Sequence, residues 1–360
     1  MHVPVRAAEN RAWVVACCKV GPLLPADKVA EFSQAMGIPG DLLRGAGESQ
    51  IVSPTGEVVA KGPRDGEAVI VADIDLDLAG APRPDGTDVL RSRRPMLYAS
   101  LASPTPADDG HHRAEVVAVA CAHDLATMTS ALSGGARIVV LPECCAVSVE
   151  SIIAALSSAL PGSLVVTSRR SAVADGEAHV GIVVSALGLV FEQVQLHRVA
   201  RHDWATTLGD RLDTFDTDWG RLCVIVGDDH VYPEVARMAA LANADVVCVP
   251  YFAQEAWESS IGLIERAAEN RMCLIASTPP DSVGESIVVT LPPDFTLWAP
   301  SRERTFNGTI NQPDVVAGQG GVVSGVIHPA RSTNRQISRN TDLVNGRPWY
   351  LGAILATDFD

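Results

Sequence analysis

Residues 220–237 read GRLCVIVGDDHVYPEVAR, and this stretch decides the fold. From Leu222 to Val226 it is an uninterrupted apolar run, the pattern of a strand buried on both faces. Gly227, Asp228 and Asp229 break the run. Tyr232-Pro233-Glu234 then opens an amphipathic helix, with the proline in the first turn, where a missing N–H is tolerated. A buried strand ending in a tight polar turn and a helix is where α/β proteins place reactive groups.

The same alternation extends to both sides. Upstream, residues 115–121 (EVVAVAC) form a buried strand, and Leu125, Met128 and Leu132 follow at helical spacing between an Asp124 cap and a Gly134-Gly135 stop. Residues 136–141 (ARIVVL) run as a strand into Pro142-Glu143. Ile152, Ile153, Leu156 and Leu160 mark a second helix, and 164–167, 180–185 and 189–194 read as further strands. Downstream, helices are expected over 233–243 and 254–271, the latter with Trp257, Ile261, Ile264 and Ala268 on one face. The arrangement is that of a two-sheet α/β sandwich flanked by helices.

The N-terminal third repeats part of this plan. The hexapeptide RAAENR occurs at 6–11 and again at 266–271, each time followed by an apolar stretch, AWVVACCKVG or MCLIAST. A second landmark recurs in the same order. Asp88-Val89-Leu90 with Arg94-Pro95-Met96-Leu97-Tyr98 matches Asp342-Leu343 with Arg347-Pro348-Trp349-Tyr350. An internal repeat follows. Residues 1–103 read as the C-terminal part of a truncated module, 104–113 as a polar linker and 114–360 as a complete module. Within the first copy, 22–48 is an insertion with a short helix near 27–36, 49–60 a hairpin about Pro54-Thr55-Gly56, and 68–74 a further strand.

Composition bounds the function. A chain of 360 residues with 47% hydrophobic and 20% charged residues is a soluble globular protein with ample core material. Its net charge of −15 argues against nucleic acid and against an anionic membrane as partners. The N-terminus lacks the basic-then-apolar layout of a signal peptide, and no apolar run approaches the ~20 residues that span a bilayer. Most of the eight cysteines lie in or beside strand-like apolar runs and none forms a C-x-x-C pair. They read as free thiols of a cytoplasmic protein rather than as a disulfide framework or a structural zinc site.

Residues 220–237 resemble the nucleophile segment of the nitrilase, or carbon–nitrogen hydrolase, superfamily, roughly G-R-hydrophobic run-C-x-D-x-x-F-P-E-x-x-R. Gly220, Arg221, Asp229, Pro233, Glu234 and Arg237 match, and Gly227 stands where the pattern has its cysteine. ARIVVLPE is similar to the family's "AdlivfPE", which places Glu143 at the general-base position. GLVFEQVQLHRVARH, from Gly188, resembles "GxVxxxxxKxHL", with the lysine slot on Gln195 or Leu196. Residues 1–103 are similar to the final third of such a module. The resemblance implies a nitrilase-like four-layer αββα sandwich with an N-terminal partial copy, no metal and no cofactor. It also implies assembly through helices, as a homo-oligomer or by pairing with a second module.

The family's reaction needs a cysteine thiolate to attack carbon, a glutamate to take the proton and a lysine ammonium to hold the developing oxyanion. Here only the glutamate remains. The lysines are Lys19, Lys28 and Lys61, so the second module contains none. His197 and Arg198 are nearby cations of different reach. Asp228 and His197 are the candidates for contacting a substrate, and Asp228-Asp229-His230 reads as turn and helix-cap polarity rather than a metal site. The expectation is a carbon–nitrogen hydrolase superfamily protein whose own catalysis is impaired. It would serve a structural or partner-module role and hold at most a small amide-like ligand. The alternative is an active amidase, through a displaced thiol at Cys144 or Cys145 or through a complete first module encoded upstream.

Overall fold

The computed structural model describes residues 2–293, 312–338 and 341–357. It divides into two compact units: the first takes in the chain up to Ala81 with the described residues of 336–342, and the second begins at Pro82 and also holds 313–335 and the described residues from Leu343 on. The packing boundary therefore lies earlier than the 104–113 stretch that separates the two repeats in sequence.

The first unit is built on α1 (His2–Glu9), β1 (Val14–Ala16), α2 (Ala26–Met36), β2 (Gln50–Val52) and β3 (Val58–Lys61). The strands form one antiparallel sheet in the order β1-β2-β3. Residues 68–74, expected as a strand, are not one: they carry no strand pairing among the described residues, and Val69 and Val71 are exposed. Alternating β-branched residues favour extended backbone, but a ladder needs a neighbour to exchange hydrogen bonds with.

The second unit carries two six-stranded sheets. One has the order β14-β13-β12-β11-β10-β9, from β9 (Thr214–Thr217), β10 (Gly220–Val224), β11 (Val246–Pro250), β12 (Cys273–Ser277), β13 (Ser286–Thr290) and β14 (Asp314–Gly318). The other has the order β15-β4-β5-β6-β7-β8, from β4 (Val117–Cys121), β5 (Ile138–Val140), β6 (Leu164–Val173), β7 (Gly176–Ser185), β8 (Gly188–Val194) and β15 (Val323–Ile327). Each has a parallel centre, β10-β11-β12 and β4-β5-β6, with antiparallel flanks. Val119, Ile138, Val140 and Val166 of one sheet meet Leu222, Val224, Cys248 and Ile275 of the other in a shared core. Gly181 marks how close the sheets come, since a Cβ there would lie 2.7 Å from Val226.

Helices complete four layers. Behind β4, β5 and β6, Ala120, Val139 and Val165 pack on Met128 and Leu132 of α3 (Leu125–Ser133) and Ile152 of α4 (Val149–Leu156). Asp124 caps α3, accepting from the Thr127 N–H at 2.8 Å. On the opposite face, Ala236 of α5 (Pro233–Leu241) and Leu263 and Ala267 of α6 (Leu263–Asn270) close over Val247 and Leu274. The stripe expected through Trp257, Ile261, Ile264 and Ala268 is corrected at its C-terminal end: the buried side is Leu263, Ala267 and Asn270. A single π-turn at Glu258–Gly262 rotates the register and sends Glu258 into the interior.

The two RAAENR copies share their local hydrogen bonds. Asn10 Nδ2 donates to the Arg6 carbonyl at 2.9 Å, and Asn270 Nδ2 to the Arg266 carbonyl at 3.0 Å. Arg6 Nη1 reaches Glu9 at 2.5 Å and Arg266 Nη1 reaches Glu269 at 2.9 Å. Both helices stop on an arginine in the left-handed region, Arg11 at φ 50° and Arg271 at φ 54°. Ala12 and Met272 then donate back to Ala7 and Ala267. In each unit the next strand begins an antiparallel three-strand run, β1-β2-β3 or β12-β13-β14.

The 104–113 stretch is held rather than loose. Fully buried Asp245, just before β11, accepts from Arg113 Nε at 2.6 Å, Ser332 Oγ at 2.5 Å and the Arg221 N–H at 2.8 Å, and lies 2.6 Å from His111 Nε2. Removing one member of such a buried set leaves the others uncompensated. Asp245→Ala is therefore expected to lower the unfolding free energy by about 3–5 kcal/mol, read from urea denaturation.

Candidate active site

Two strand ends deliver the centre. β5 passes through Leu141-Pro142 to Glu143, and in the facing sheet β10 runs on through Val226 into the turn Gly227–Val231. A Cβ placed on Gly227 would lie 2.9 Å from Glu143 Oε2 and 3.2 Å from His179 Cε1. Gln195, just beyond β8, places Oε1 2.5 Å from His179 Nδ1. The positions singled out by sequence as Glu143, Gly227 and Gln195 thus converge, with His179 of β7 between them. His179 had no sequence signal beyond one polar residue in an apolar strand.

The cation at this centre is Arg201, not His197 or Arg198. Its guanidinium chelates Glu143 with both Nη atoms, the Nη2 bond measuring 3.0 Å, and Nη2 also donates to Asp228 at 2.5 Å. Asp228 accepts from Gln254 Nε2 at 2.8 Å and lies 3.5 Å from Arg83. Arg83, itself fully buried, donates to Glu258 at 2.9 Å, and Glu258 lies 3.1 Å from His230 Nε2. The segment 197–202 is fixed in turn by Asp85, which accepts from the Arg201 N–H, and by Thr87, whose hydroxyl accepts from the Ala200 N–H. Arg201 and Arg83 come from irregular segments, where a lone arginine has no periodicity to mark it.

Asp228-Asp229-His230 differs from the cap polarity expected of it. All three are buried and none caps α5. Asp229 accepts from the Leu196 and His197 N–H groups at 2.7 and 2.9 Å. His197 is fully buried, stacked 3.7 Å from the Tyr232 ring centroid, with Nδ1 2.8 Å from Asp229 and Nε2 2.7 Å from Tyr98 Oη. Neither ring nitrogen is open to a ligand. Cys145 directs its thiol to the His123 carbonyl, whereas Cys144, exposed and at φ 48°, has Sγ 3.6 Å from His179 Nε2.

Burial sets the protonation states. It pushes the Glu143 carboxyl up to about 7 against the pull of Arg201. Burial also opposes ionisation of Asp228, but Arg83 and Arg201 overcome it and hold this carboxyl below the usual range. His179 is depressed to about 4, by burial above all, and His202 to about 3 by burial and by Arg201. Both imidazoles are neutral near pH 7. Glu143, His179 and His202 bring one donor atom each within 4.8 Å of one another, a separation compatible with a metal ion. However, both His179 nitrogens are hydrogen-bonded, and Arg201 already contacts Glu143 and, at 2.9 Å, His202 Nε2. A guanidinium holds the position a metal ion would take.

A carboxyl raised on folding binds its proton more tightly in the native state, so its contribution weakens stability as pH rises from its unfolded value of 4.5 through 7. The wild-type melting temperature is expected to fall between pH 5 and 8, and Glu143→Gln to flatten that slope. Thermal denaturation of the two proteins across this range reads the difference.

Residues 1–83 match the family described as Carbon-nitrogen hydrolase. The probable hydrolase YhcX of Bacillus subtilis strain 168 is 31% identical over 70 residues, 19% of this chain and 14% of that protein. The chain thus spans about one seventh of the length of this curated relative. Among solved structures, Nit3 of Saccharomyces cerevisiae, a member of branch 10 of the nitrilase superfamily, is similar at TM-score 0.45 and 15% identity, covering 61% of this chain and 92% of that one. The NitN amidase of Neterenkonia sp. AN1 is similar at TM-score 0.43 and 18% identity, covering 66% and 99%. These structural likenesses are too distant to carry a functional argument, and all but the last two residues of the family match lie outside the unit that holds Glu143. Residues 1–83, less than a quarter of the chain, are thus the part that is similar to the carbon–nitrogen hydrolase family.

Proposed function

We propose that the second unit is a carbon–nitrogen hydrolase module in which the superfamily's own glutamate–lysine–cysteine route is closed, and that its role is structural, as partner to a catalytic module or to further copies. One observation carries the reading. At the place where a nucleophile would touch Glu143 stands Gly227, and Glu143 is held in a two-pronged ion pair with Arg201, which also bridges to Asp228. A glutamate so engaged has both oxygens turned to the guanidinium, and Gln195, in the lysine's slot, carries no charge to stabilise an oxyanion. Residues 1–103 are read as the C-terminal part of a second such module. The shared hydrogen bonds of the two RAAENR helices support that reading, as does the run of antiparallel strands that follows each. All eight cysteines are free thiols, in keeping with a reducing compartment such as the cytoplasm. Among the described residues no helix is long and apolar enough to cross a membrane.

The test is ammonia release from a panel of short linear amides and nitriles. The expected result is no release above that of buffer. Turnover that disappears in Glu143→Ala would overturn the proposal. Gly227→Cys alone is expected not to create activity, because φ at this position is +54° and the new Cβ would crowd Glu143 Oε2. Left-handed backbone costs a non-glycine residue ~1–2 kcal/mol. Gly227→Ala should therefore lower stability by about that amount or more, measured by urea denaturation.

A further inference from the structure

Cys144 stands apart from the closed route. The residue is exposed although its thiol is partly buried, and its backbone sits at φ 48° in a tight turn immediately after Glu143. Sγ lies 3.6 Å from His179 Nε2. On the other side of the ring, Nδ1 is 2.5 Å from Gln195 Oε1. Gln195 is itself fixed, because its Nε2 donates to the His197 carbonyl at 2.7 Å. With the amide group committed in that direction, its oxygen faces His179 and must accept, so the proton of the neutral imidazole is on Nδ1. Nε2 therefore presents a lone pair toward Cys144. At rest the Ser168 hydroxyl donates into that lone pair at 2.6 Å, while its oxygen accepts from the Cys144 N–H at 3.1 Å.

A thiol beside the basic nitrogen of an imidazole, with a carboxamide holding the far nitrogen, is the constellation of nucleophile, base and orienting group. We propose that Cys144 is a nucleophile served by His179 and positioned through Gln195, and that it accepts the acyl group of small activated esters as a thioester. As the S–C bond forms at the acyl carbon, the thiol proton passes to His179 Nε2. The C–O bond then breaks and the leaving alcohol or phenol takes that proton. Water, deprotonated by the same nitrogen, cleaves the C–S bond and restores the thiol with release of the carboxylic acid. Burial, with the charge of Glu143 adding to it, pushes the Cys144 thiol up to about 11, so a base must move the proton during attack. His179, neutral but a weakened base at about 4, takes it only as the S–C bond forms and the sulfur becomes acidic. The Ser168 hydroxyl competes for its lone pair and acts as a brake.

The full chain is treated with p-nitrophenyl acetate, following p-nitrophenol release and mapping acetyl groups by peptide mass. The exposed thiols Cys17 and Cys18 serve as internal references. The expected result is acetylation of Cys144 at least about tenfold faster than of either reference. The p-nitrophenol burst should be lost in Cys144→Ala, and acetylation should be slowed at least about tenfold in His179→Asn. Ser168→Ala, which frees Nε2, should raise the rate severalfold, a gain that a merely structural hydroxyl would not give. A Cys144 that stays unmodified, or that reacts equally fast in His179→Asn, overturns the proposal. Should His179→Asn fail to fold, Ser168→Ala decides, and a rate unchanged or lowered overturns it. Ammonia release that needs Glu143 but not Cys144 would strike only the reading of the closed site, and an unreactive Cys144 would strike only this one.

Discussion

A guanidinium lying between two buried carboxylates organises the second unit. Glu143 and Asp228 come from facing sheets, and each would be costly to bury as an ion without a partner. Arg201 satisfies both at once because its donors are fixed in a planar fork, a geometry that the point charge of a lysine does not offer. Arg83 extends the same pattern to Asp228 and Glu258. Alternation of cations and anions in this chain lets three carboxylates sit beneath the surface. It also ties together five stretches that the backbone ladders do not join: the end of β5, the turn after β10, the π-turn before α6, the 83–87 segment and the 197–202 segment.

That charge balance has consequences for the neighbouring rings. With Arg201 beside His202 and a largely dry interior around His179, an imidazolium at either position is disfavoured. Hydrogen bonds to fixed partners then decide where the single proton of each neutral ring resides. For His179 the chain of fixed partners runs from the His197 carbonyl through the Gln195 amide, and it points the basic nitrogen at Ser168 and Cys144. Gln195 is thus the link between the closed site and the thiol beside it.

The sequence made the scaffold legible where its signal is local. Apolar runs such as 222–226 and 138–141 form paired, buried strands, and the Pro142-Glu143 and Gly227 punctuation falls where those strands leave their sheets. It failed where a signal depends on partners elsewhere. Residues 68–74 have the composition of a strand but no neighbour, and the face of the helix at 254–271 shifts because one π-turn changes the phase. Glu143, Gly227 and Gln195, which the structure brings together, stand out by a sequence pattern. Arg201, Arg83 and His179 were not, since what makes them part of the site is their spatial position and not their spacing along the chain.

The presence of Glu143 at this place has a structural explanation. Its two oxygens accept from both Nη atoms of Arg201, and deleting the group would leave buried guanidinium donors unpartnered. The residue is thereby held in place by hydrogen bonding even where no proton is transferred. The nucleophile's position is under no such constraint. Its turn passes through left-handed backbone, where a side chain is strained and glycine is not. Strain in that turn favours glycine, whereas the guanidinium of Arg201 favours keeping the carboxyl group beside it. A carboxyl group fixed by its partner next to a turn that selects glycine is what those two constraints produce.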